Sequence, residues 1–404
     1  MALDPITREP VQSPSDGFRM ISSTRALDTA RGILDRFADV ERTLRHLASL
    51  YPAEAGVSWA TRSLASGAAG ISLALLSGAA VWKNCGYERA AHDYLRYAAS
   101  SQSTGQSFGL HLGWAGILQV ARYASAIVQP YDRLCATIEE HLDAITPEVI
   151  RADYAAQGSV DLIAGAAGLL IASSGSGERA SAMVRYLRGV QQEEMRDMGV
   201  AHGVAGVLAA LNLSNAELQL RARFARDLMS AAVDTPYGTR FDGYRRADRP
   251  FFRVAWCYGT AGCAAVLQDY ADFSDDEEAA AMAARSVDTL LHLPDDEWVI
   301  WDHGLCHGTI GAATLIHAYA IKAKRNDLQP LVHGLIERAL AAFDAALPYG
   351  YRSVDPYRQT SYDDPAFLEG AAGIVLGLLA IEAGIDFWLP LLGVTSTRSL
   401  EVLL

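Results

Sequence analysis

The amino-acid sequence predicts an all-α protein, folded as an α/α toroid of seven inner and seven outer helices. Three observations lead to this prediction: a G-x-x-G tetrad recurs seven times, each tetrad opens an apolar run almost without charge, and an amphipathic segment separates successive runs. A run that is apolar all round is typical of a buried helix, whereas an amphipathic helix covers a core with one face. Two helices repeated seven times indicate a helical repeat architecture.

The tetrads mark where the inner helices begin. Two glycines at i and i+3 lie on one face of a helix start, where the missing Cβ atoms let a neighbouring helix or loop come close. A ring closed on itself needs no polar end caps, so a closed toroid is favoured over an open solenoid, which is the second interpretation. The tetrads occupy residues 67–70, 113–116, 165–168, 203–206, 259–262, 308–311 and 370–373.

The amphipathic segments between the apolar runs are the predicted outer helices. We place them at 24–50, 88–100, 131–145, 178–194, 216–233, 275–292 and 328–347. Long connections rich in Tyr, Arg, Asp and Pro remain at 234–255, 294–305 and 348–369. Connections of this length in a compact domain tend to be functional. Strand signal is weak, so we expect a loop rather than a β extension at 234–255.

Composition narrows the class of protein. The chain has 404 residues and a formal net charge of -13, which argues against nucleic acid and anionic lipid as partners. We expect a flexible N-terminal arm at 1–20 and a single domain at 21–404. The uncharged stretch at 63–82 is rich in Gly, Ala and Ser, so we expect a buried helix there and no transmembrane segment. Five cysteines without a signal peptide indicate reduced thiols in the cytosol.

Two cysteines and a histidine form a candidate metal site. Cys257 and the pair Cys306-His307 stand directly before the fifth and sixth tetrads, so neighbouring repeats would present them at one end of the ring. Two thiolates and one imidazole are a ligand set of catalytic zinc that leaves one coordination position open. Buried structural cysteines beside a capping histidine are the alternative for each residue taken alone. The other cysteines, interpreted as packing residues, are Cys85, Cys135 and Cys263.

Four further residues are candidates for catalysis. His202 stands before the fourth tetrad and suits a general acid or base, although a hydrogen-bonded turn histidine is the alternative. Asp161 is placed to orient His202 or to polarise the site, with Asp153 as a competing carboxylate. Arg253 offers a cation to a carbonyl or a developing enolate, or it is one of several loop arginines. Tyr258 follows Cys257 and is a hydrogen-bonding candidate.

Three segments resemble the signature segments of the lanthipeptide cyclases, the lanthionine synthetase C-like family. They are Ala-His-Gly-Val-Ala-Gly at 201–206, Trp-Cys-Tyr-Gly at 256–259 and Leu-Cys-His-Gly at 305–308. The sevenfold tetrad is similar to that family's double-layered toroid, and the resemblance runs from about residue 20 over nearly the whole chain. Two departures, Ala255 where Ser is usual and Thr260-Ala261 in place of x-Pro, remove no ligand.

The resemblance implies a stand-alone cyclase of the class I type, because no kinase-like or dehydratase-sized region precedes the three segments. It implies lanthionine and methyllanthionine rings, formed by Michael addition of peptide cysteine thiols to dehydroalanine or dehydrobutyrine in a dehydrated precursor peptide. It also implies a cytoplasmic protein, peripheral at the membrane through a dehydratase and a peptide exporter. One Zn²⁺ per chain and no other cofactor are implied, with site residues Cys257, Cys306, His307, His202, Asp161, Arg253 and Tyr258.

Other functions are weighed against this interpretation. A toroidal glycosidase or terpene cyclase needs a carboxylate pair or an aspartate-rich metal motif. The acidic run at 275–278 begins a predicted outer helix, where the helix dipole explains it. A non-cyclising thiol- or glutathione-binding scaffold of the same fold is the remaining alternative.

Overall fold

A computed structural model describes most of the chain between residues 24 and 398. The predicted N-terminal arm at 1–20 lies outside the described residues. No helix in the described part has the length and apolarity to cross a bilayer. The described ranges are 24–50, 60–100, 108–153, 159–173, 177–191, 195–245, 250–355 and 358–398, of which 151–153 are described by backbone alone.

Seven buried helices form the inner layer of the described structure. The first glycine of each tetrad is the residue that caps the helix start, so every inner helix begins where the sequence predicts it. Each helix is buried over nearly its whole surface in its first two turns, as expected of an apolar run. The bounds are Ala68–Trp82, Trp114–Ile127, Ala166–Ala172, Val204–Leu213, Thr260–Ser274, Thr309–Lys322 and Ala371–Ala383.

Seven amphipathic helices form the outer layer. Each inner helix packs against the outer helix that follows it, and the last inner helix packs against Thr24–Phe37, the first described helix, which completes the seventh pair. The bounds are Thr24–Phe37, Cys85–Ala99, Asp132–Asp143, Gly177–Arg188, Leu218–Met229, Glu277–Leu290 and Gln329–Ala341. The predicted helix at 24–50 is two helices, because Asp39 accepts a hydrogen bond from the Arg42 N–H and starts Val40–Leu50. A further short helix is Pro147–Asp153.

The inner helices close into a ring. Each one contacts the next along the chain, and the last, Ala371–Ala383, contacts the first, Ala68–Trp82. The prediction of a closed α/α toroid is therefore confirmed, and the open solenoid is wrong.

Two short antiparallel hairpins interrupt the long connections. The first pairs Ala232–Thr235 with Gly238–Phe241, and the second pairs Ser353–Asp355 with Thr360–Tyr362. The expectation of a plain loop at 234–255 is therefore wrong at its start, where Gly238 takes a φ of 122° in the turn. The buried Arg240 side chain ties the first hairpin to the loop before the sixth tetrad through Glu297, with Nη1 2.6 Å from Oε2.

The segment after the last inner helix fills the centre of the ring. Trp388, Leu391 and Leu392 are fully buried there. His111 of the second repeat donates from Nε2 to Leu391 O at 2.9 Å, and Trp256 of the fifth repeat donates from Nε1 to Leu392 O at 2.8 Å. Because these donors belong to distant repeats, the segment must lie near the ring axis.

The second glycine of a tetrad has no room for a side chain. A Cβ atom added to Gly311 would lie 1.9 Å from Leu305 O, whereas one added to Gly334 in an outer helix would meet nothing within 4 Å. We expect Gly311→Ala to lower the free energy of unfolding by about 1–3 kcal/mol or more, because backbone must move. Gly334→Ala should leave the free energy of unfolding unchanged or raise it by about 0.5–1 kcal/mol. Denaturant unfolding of both variants measures the difference, and equal stabilities would contradict this account.

Candidate metal centre

A ring of backbone hydrogen bonds links the seven loops that precede the tetrads. Cys257 donates from its N–H to Cys306 O at 3.2 Å, Cys306 donates to Leu368 O at 2.8 Å, and Leu368 donates to Ala65 O at 3.0 Å. The remaining loops continue the same pattern until the ring closes on Cys257. The carbonyls that accept belong to the residue two before each tetrad: Ala65, His111, Ile163, Ala201, Cys257, Cys306 and Leu368.

The residue immediately before each tetrad lies at the rim of this ring. We call these seven residues the mouth residues. All except Ala164 are at least partly accessible to solvent, although the residues on either side of them are mostly buried. In ring order the mouth residues are Ser66, Leu112, Ala164, His202, Tyr258, His307 and Glu369. Four successive repeats therefore place a histidine, a phenol, a second histidine and a carboxylate side by side.

The structure brings Cys257, Cys306 and His307 together. One ligand atom from each lies within 4.8 Å of the other two, and among the described residues this is the one group with such metal-ligand geometry. The hydrogen bond between the two adjacent loops places the thiols side by side, and His307 follows Cys306 directly in the chain. Only Cys257 is fully buried.

The pKa values of these three residues depend on one another. The hydrogen bond from Cys306 holds the pKa of the Cys257 thiol well below its usual value, against the effect of burial, and His307 acts in the same direction. The same contact, together with burial, raises the pKa of Cys306. Burial works to lower the pKa of His307, but its hydrogen bonds to Asp302 and Cys257 raise it to about 10. Two soft sulfurs and an imidazole with displaceable protons fit a zinc ion.

Asp302 is a member of the site that the sequence analysis did not single out. Its carboxylate is buried, with Oδ2 3.5 Å from His307 Nε2 and Oδ1 accepting from the Gly304 N–H at 3.1 Å. A carboxylate that holds one ring nitrogen fixes the orientation of a metal-binding histidine and leaves Nδ1 for the ligand bond. The sequence does contain a signal that could have identified Asp302. This residue lies six positions before its tetrad, and Asp197 and Asp364 lie six positions before theirs.

His202 and Asp161 form a second pair at the mouth. His202 Nδ1 lies 2.7 Å from Asp161 Oδ2, while Asp161 Oδ1 accepts from the Ala164 and Gly165 N–H groups at 2.8 and 2.9 Å. Burial works to lower the pKa of His202, but the hydrogen bond and charge of Asp161 raise it above its usual value. Nδ1 therefore donates to a fixed carboxylate, and Nε2 is left as the proton-exchanging nitrogen. The side chain of Asp153 lies outside the described part.

Tyr258 belongs to an aromatic wall beside His202. Its ring centroid is 6.4 Å from His202, 5.1 Å from Tyr244 and 6.5 Å from Phe251. Burial and the neighbouring Asp197 carboxylate raise the pKa of the Tyr258 phenol, so it remains a neutral hydrogen-bond donor at physiological pH.

Arg253 is buried beside Cys257 and Cys306. Its guanidinium lies 4.1 Å over the Trp301 ring, and its Nε donates to Val299 O at 3.1 Å. Nη2 is buried and has no hydrogen-bond partner among the described residues. The positive charge of Arg253 acts to lower the pKa of both Cys257 and Cys306. The structure therefore supplies a fixed cation with an unused donor next to the thiols.

The other cysteines lie away from this centre. Cys263 is buried in an inner helix, where burial raises the pKa of its thiol to about 12. Cys135 is half-buried. Cys85 is exposed at the start of an outer helix, so its interpretation as a packing residue is wrong.

Comparison with known proteins agrees with this fold. The family model of the lanthionine synthetase C-like proteins matches residues 58–390, and the chain belongs to that family. Among solved structures, the chain is similar to nisin cyclase, with a TM-score of 0.64 and 16% identity over 88% of this chain and 97% of that chain. At this identity the likeness shows a shared fold. No curated protein sequence matches.

The Asp302 carboxylate should strengthen metal binding through His307. We expect Asp302→Asn to weaken zinc affinity about tenfold to a hundredfold, because the imidazole loses its orienting charge. Asp364→Asn is the matched control, since Asp364 occupies the same place one repeat later and accepts from the Ala366 N–H at 2.8 Å. Competition with a chromophoric chelator measures both affinities. An unchanged affinity in Asp302→Asn would rule out this orienting role.

Proposed function

We propose that the protein is a zinc-dependent cyclase that forms lanthionine and methyllanthionine rings in a dehydrated precursor peptide. The main support is the convergence of Cys257, Cys306 and His307 within 4.8 Å at the mouth of the toroid. The Asp161–His202 pair and Arg253 lie around the same centre. One zinc ion per chain would be held by the two sulfurs and the imidazole.

The reaction needs a deprotonated thiol at neutral pH. A free thiol has a pKa of about 8.5, so only a few per cent is thiolate. A zinc ion bound to Cys257, Cys306 and His307 would supply an open coordination position at which a substrate thiol loses its proton. Asp302 would orient His307 for that site. Addition of the thiol across a dehydroalanine or dehydrobutyrine double bond forms one C–S bond and one C–H bond, with no other reactant.

His202 would handle the proton that moves from sulfur to carbon. Its Nδ1 is held by Asp161 at 2.7 Å, which leaves Nε2 to accept the thiol proton or deliver one to Cα. The Asp161 carboxylate stabilises the imidazolium form that exists between these two events.

Arg253 would act on the carbonyl side of the dehydro residue. Addition at Cβ places negative charge on the carbonyl oxygen, which becomes an enolate. The unused Nη2 donor of Arg253 would stabilise that oxygen, because the guanidinium is already fixed against Trp301. The Tyr258 hydroxyl would donate to the Asp197 carboxylate, and its ring would form part of the wall beside His202.

The family also suggests a setting for this activity. We propose that the chain acts in the cytoplasm on the product of a dehydratase, and that it associates with that enzyme and a peptide exporter at the membrane.

A peptide with free cysteines and dehydro residues tests the proposal directly. Incubation with the zinc-loaded protein should abolish alkylation of the cysteine thiols without changing the peptide mass, since cyclisation is an isomerisation. Alkylation that persists at full extent would contradict the cyclase proposal and favour a non-cyclising thiol-binding protein.

Substitution of a proposed thiol ligand should have a different effect from substitution of another cysteine. We expect Cys306→Ala to lose most of its zinc and its ring-forming activity, because one of three ligands is removed. Cys263→Ala is the control: this buried thiol in an inner helix should be dispensable for both. Elemental analysis and the alkylation assay give the two readouts, and full zinc content in Cys306→Ala would show that the ligand assignment is wrong.

Substitution of His202 should lower the rate of ring closure without changing the zinc content. We expect His202→Ala to retain zinc and fold but to slow ring closure about a hundredfold to ten-thousandfold, the usual contribution of a positioned proton-transfer group. His333→Ala, on the exposed face of an outer helix, should behave as the wild type. Normal single-turnover rates in His202→Ala would remove its proton-transfer role.

A further inference from the structure

Several carboxylates stand in the loops around the candidate metal centre, and Glu369 differs from the others. Asp161, Asp197 and Asp302 are 2–3% exposed, and each accepts a hydrogen bond from a backbone N–H of its own loop. Glu369 is only half-buried and accepts no backbone hydrogen bond from its loop. Its carboxylate therefore reaches the solvent-accessible side of the mouth.

The backbone fixes Glu369 beside the metal ligands. It is the mouth residue of the seventh repeat, directly after Leu368, whose carbonyl accepts from the Cys306 N–H at 2.8 Å. The two loops are packed so closely that a Cβ on Gly304 would lie 2.7 Å from Glu369 O. In ring order Glu369 follows His307, on the side of the metal centre away from His202.

The second hairpin holds the Glu369 side chain in place. The Tyr362 hydroxyl donates to Glu369 Oε2 at 2.9 Å, and Ser353 Oγ donates to Glu369 O at 2.6 Å. No Lys, Arg or His side chain in the described part of the chain forms a salt bridge with this carboxylate. The result is a positioned carboxylate at the rim of the site, with no salt-bridge partner among the described residues.

We propose that Glu369 selects the substrate peptide by binding a basic side chain next to the cysteine that forms the ring. This inference rests on the proposed cyclase function. A cysteine approaching Cys257, Cys306 and His307 brings its neighbours to the mouth residues on either side. The dehydro residue belongs on the His202 side, so the residues flanking the cysteine face Glu369.

The charge of Glu369 favours a basic residue beside the cysteine of the peptide and disfavours an acidic one. A Lys or Arg side chain beside the cysteine gains a charge-assisted hydrogen bond to a carboxylate that Tyr362 has already positioned. An Asp or Glu at the same place meets like charge in a partly desolvated site. Arg253 does not occupy the Glu369 carboxylate, because its guanidinium is held over Trp301 and its Nε donates to Val299 O.

The test uses three dehydrated peptides that differ only at the residue next to the cysteine, which is Lys, Gln or Glu. We expect the wild type to prefer Lys over Glu about tenfold in kcat/KM, mainly through KM, as for hydrogen bonds to charged groups. Glu369→Gln keeps the size of the side chain and an acceptor for Tyr362, so the Lys-to-Glu ratio should fall towards one while zinc content is unchanged. Glu278→Gln makes the same charge change on a distant outer helix and should keep the ratio.

A binding measurement separates selection from chemistry. The three peptides, with serine in place of the cysteine so that no ring can form, are titrated into the zinc-loaded wild type and zinc-loaded Glu369→Gln and followed by fluorescence anisotropy. Preference for Lys in the wild type alone supports the inference. An equal ratio in both proteins, or loss of zinc in Glu369→Gln, overturns it. Wild-type protein that closes no ring in any peptide contradicts the proposed function, whereas ring closure without charge preference contradicts only the role of Glu369.

Discussion

The hydrogen-bonded ring of backbone between the seven loops is the constraint on which the site depends. Each loop is held to the next through the residue two before its tetrad, so neighbouring loops are in register at the mouth. Cys257 and Cys306 are consecutive members of that ring, and this alone places their thiols side by side. The inner helices behind them are alike in being mostly apolar and in beginning with the same glycine cap. The repeats therefore share a common scaffold, and the residues of the candidate site come from the loops that precede the tetrads.

Burial divides the polar residues of the mouth into two groups. Asp161 and Asp302 are buried and hold the two histidines, so their charge acts within the protein. His202 and Glu369 are partly exposed and can reach a bound molecule. This arrangement is typical of sites in which one layer of side chains contacts the ligand and a second layer restricts its orientation.

The fold could be predicted from the sequence because the glycine requirement recurs in every repeat. Gly311 cannot carry a Cβ beside Leu305 O, and the other repeats impose the same restriction. The tetrad can therefore be recognised in the sequence although the repeats differ in length. The positions of Cys257, Cys306, His307 and His202 followed from the same register. Asp302 was missed because its contact with His307 depends on how an irregular loop turns back. The two hairpins were missed because strands of three or four residues are too short to show alternation.

The buried segment around Trp388–Leu392 also decides how a long chain can reach the thiols. These residues occupy the axis of the toroid and close the ring below the mouth. An extended polypeptide therefore cannot pass through the ring from one end to the other. Any peptide that reaches Cys257 and Cys306 must enter and leave by the same opening and lie across it as a bend. Only a short stretch of a bound chain can then occupy the mouth at one time, while the rest of that chain stays in solvent.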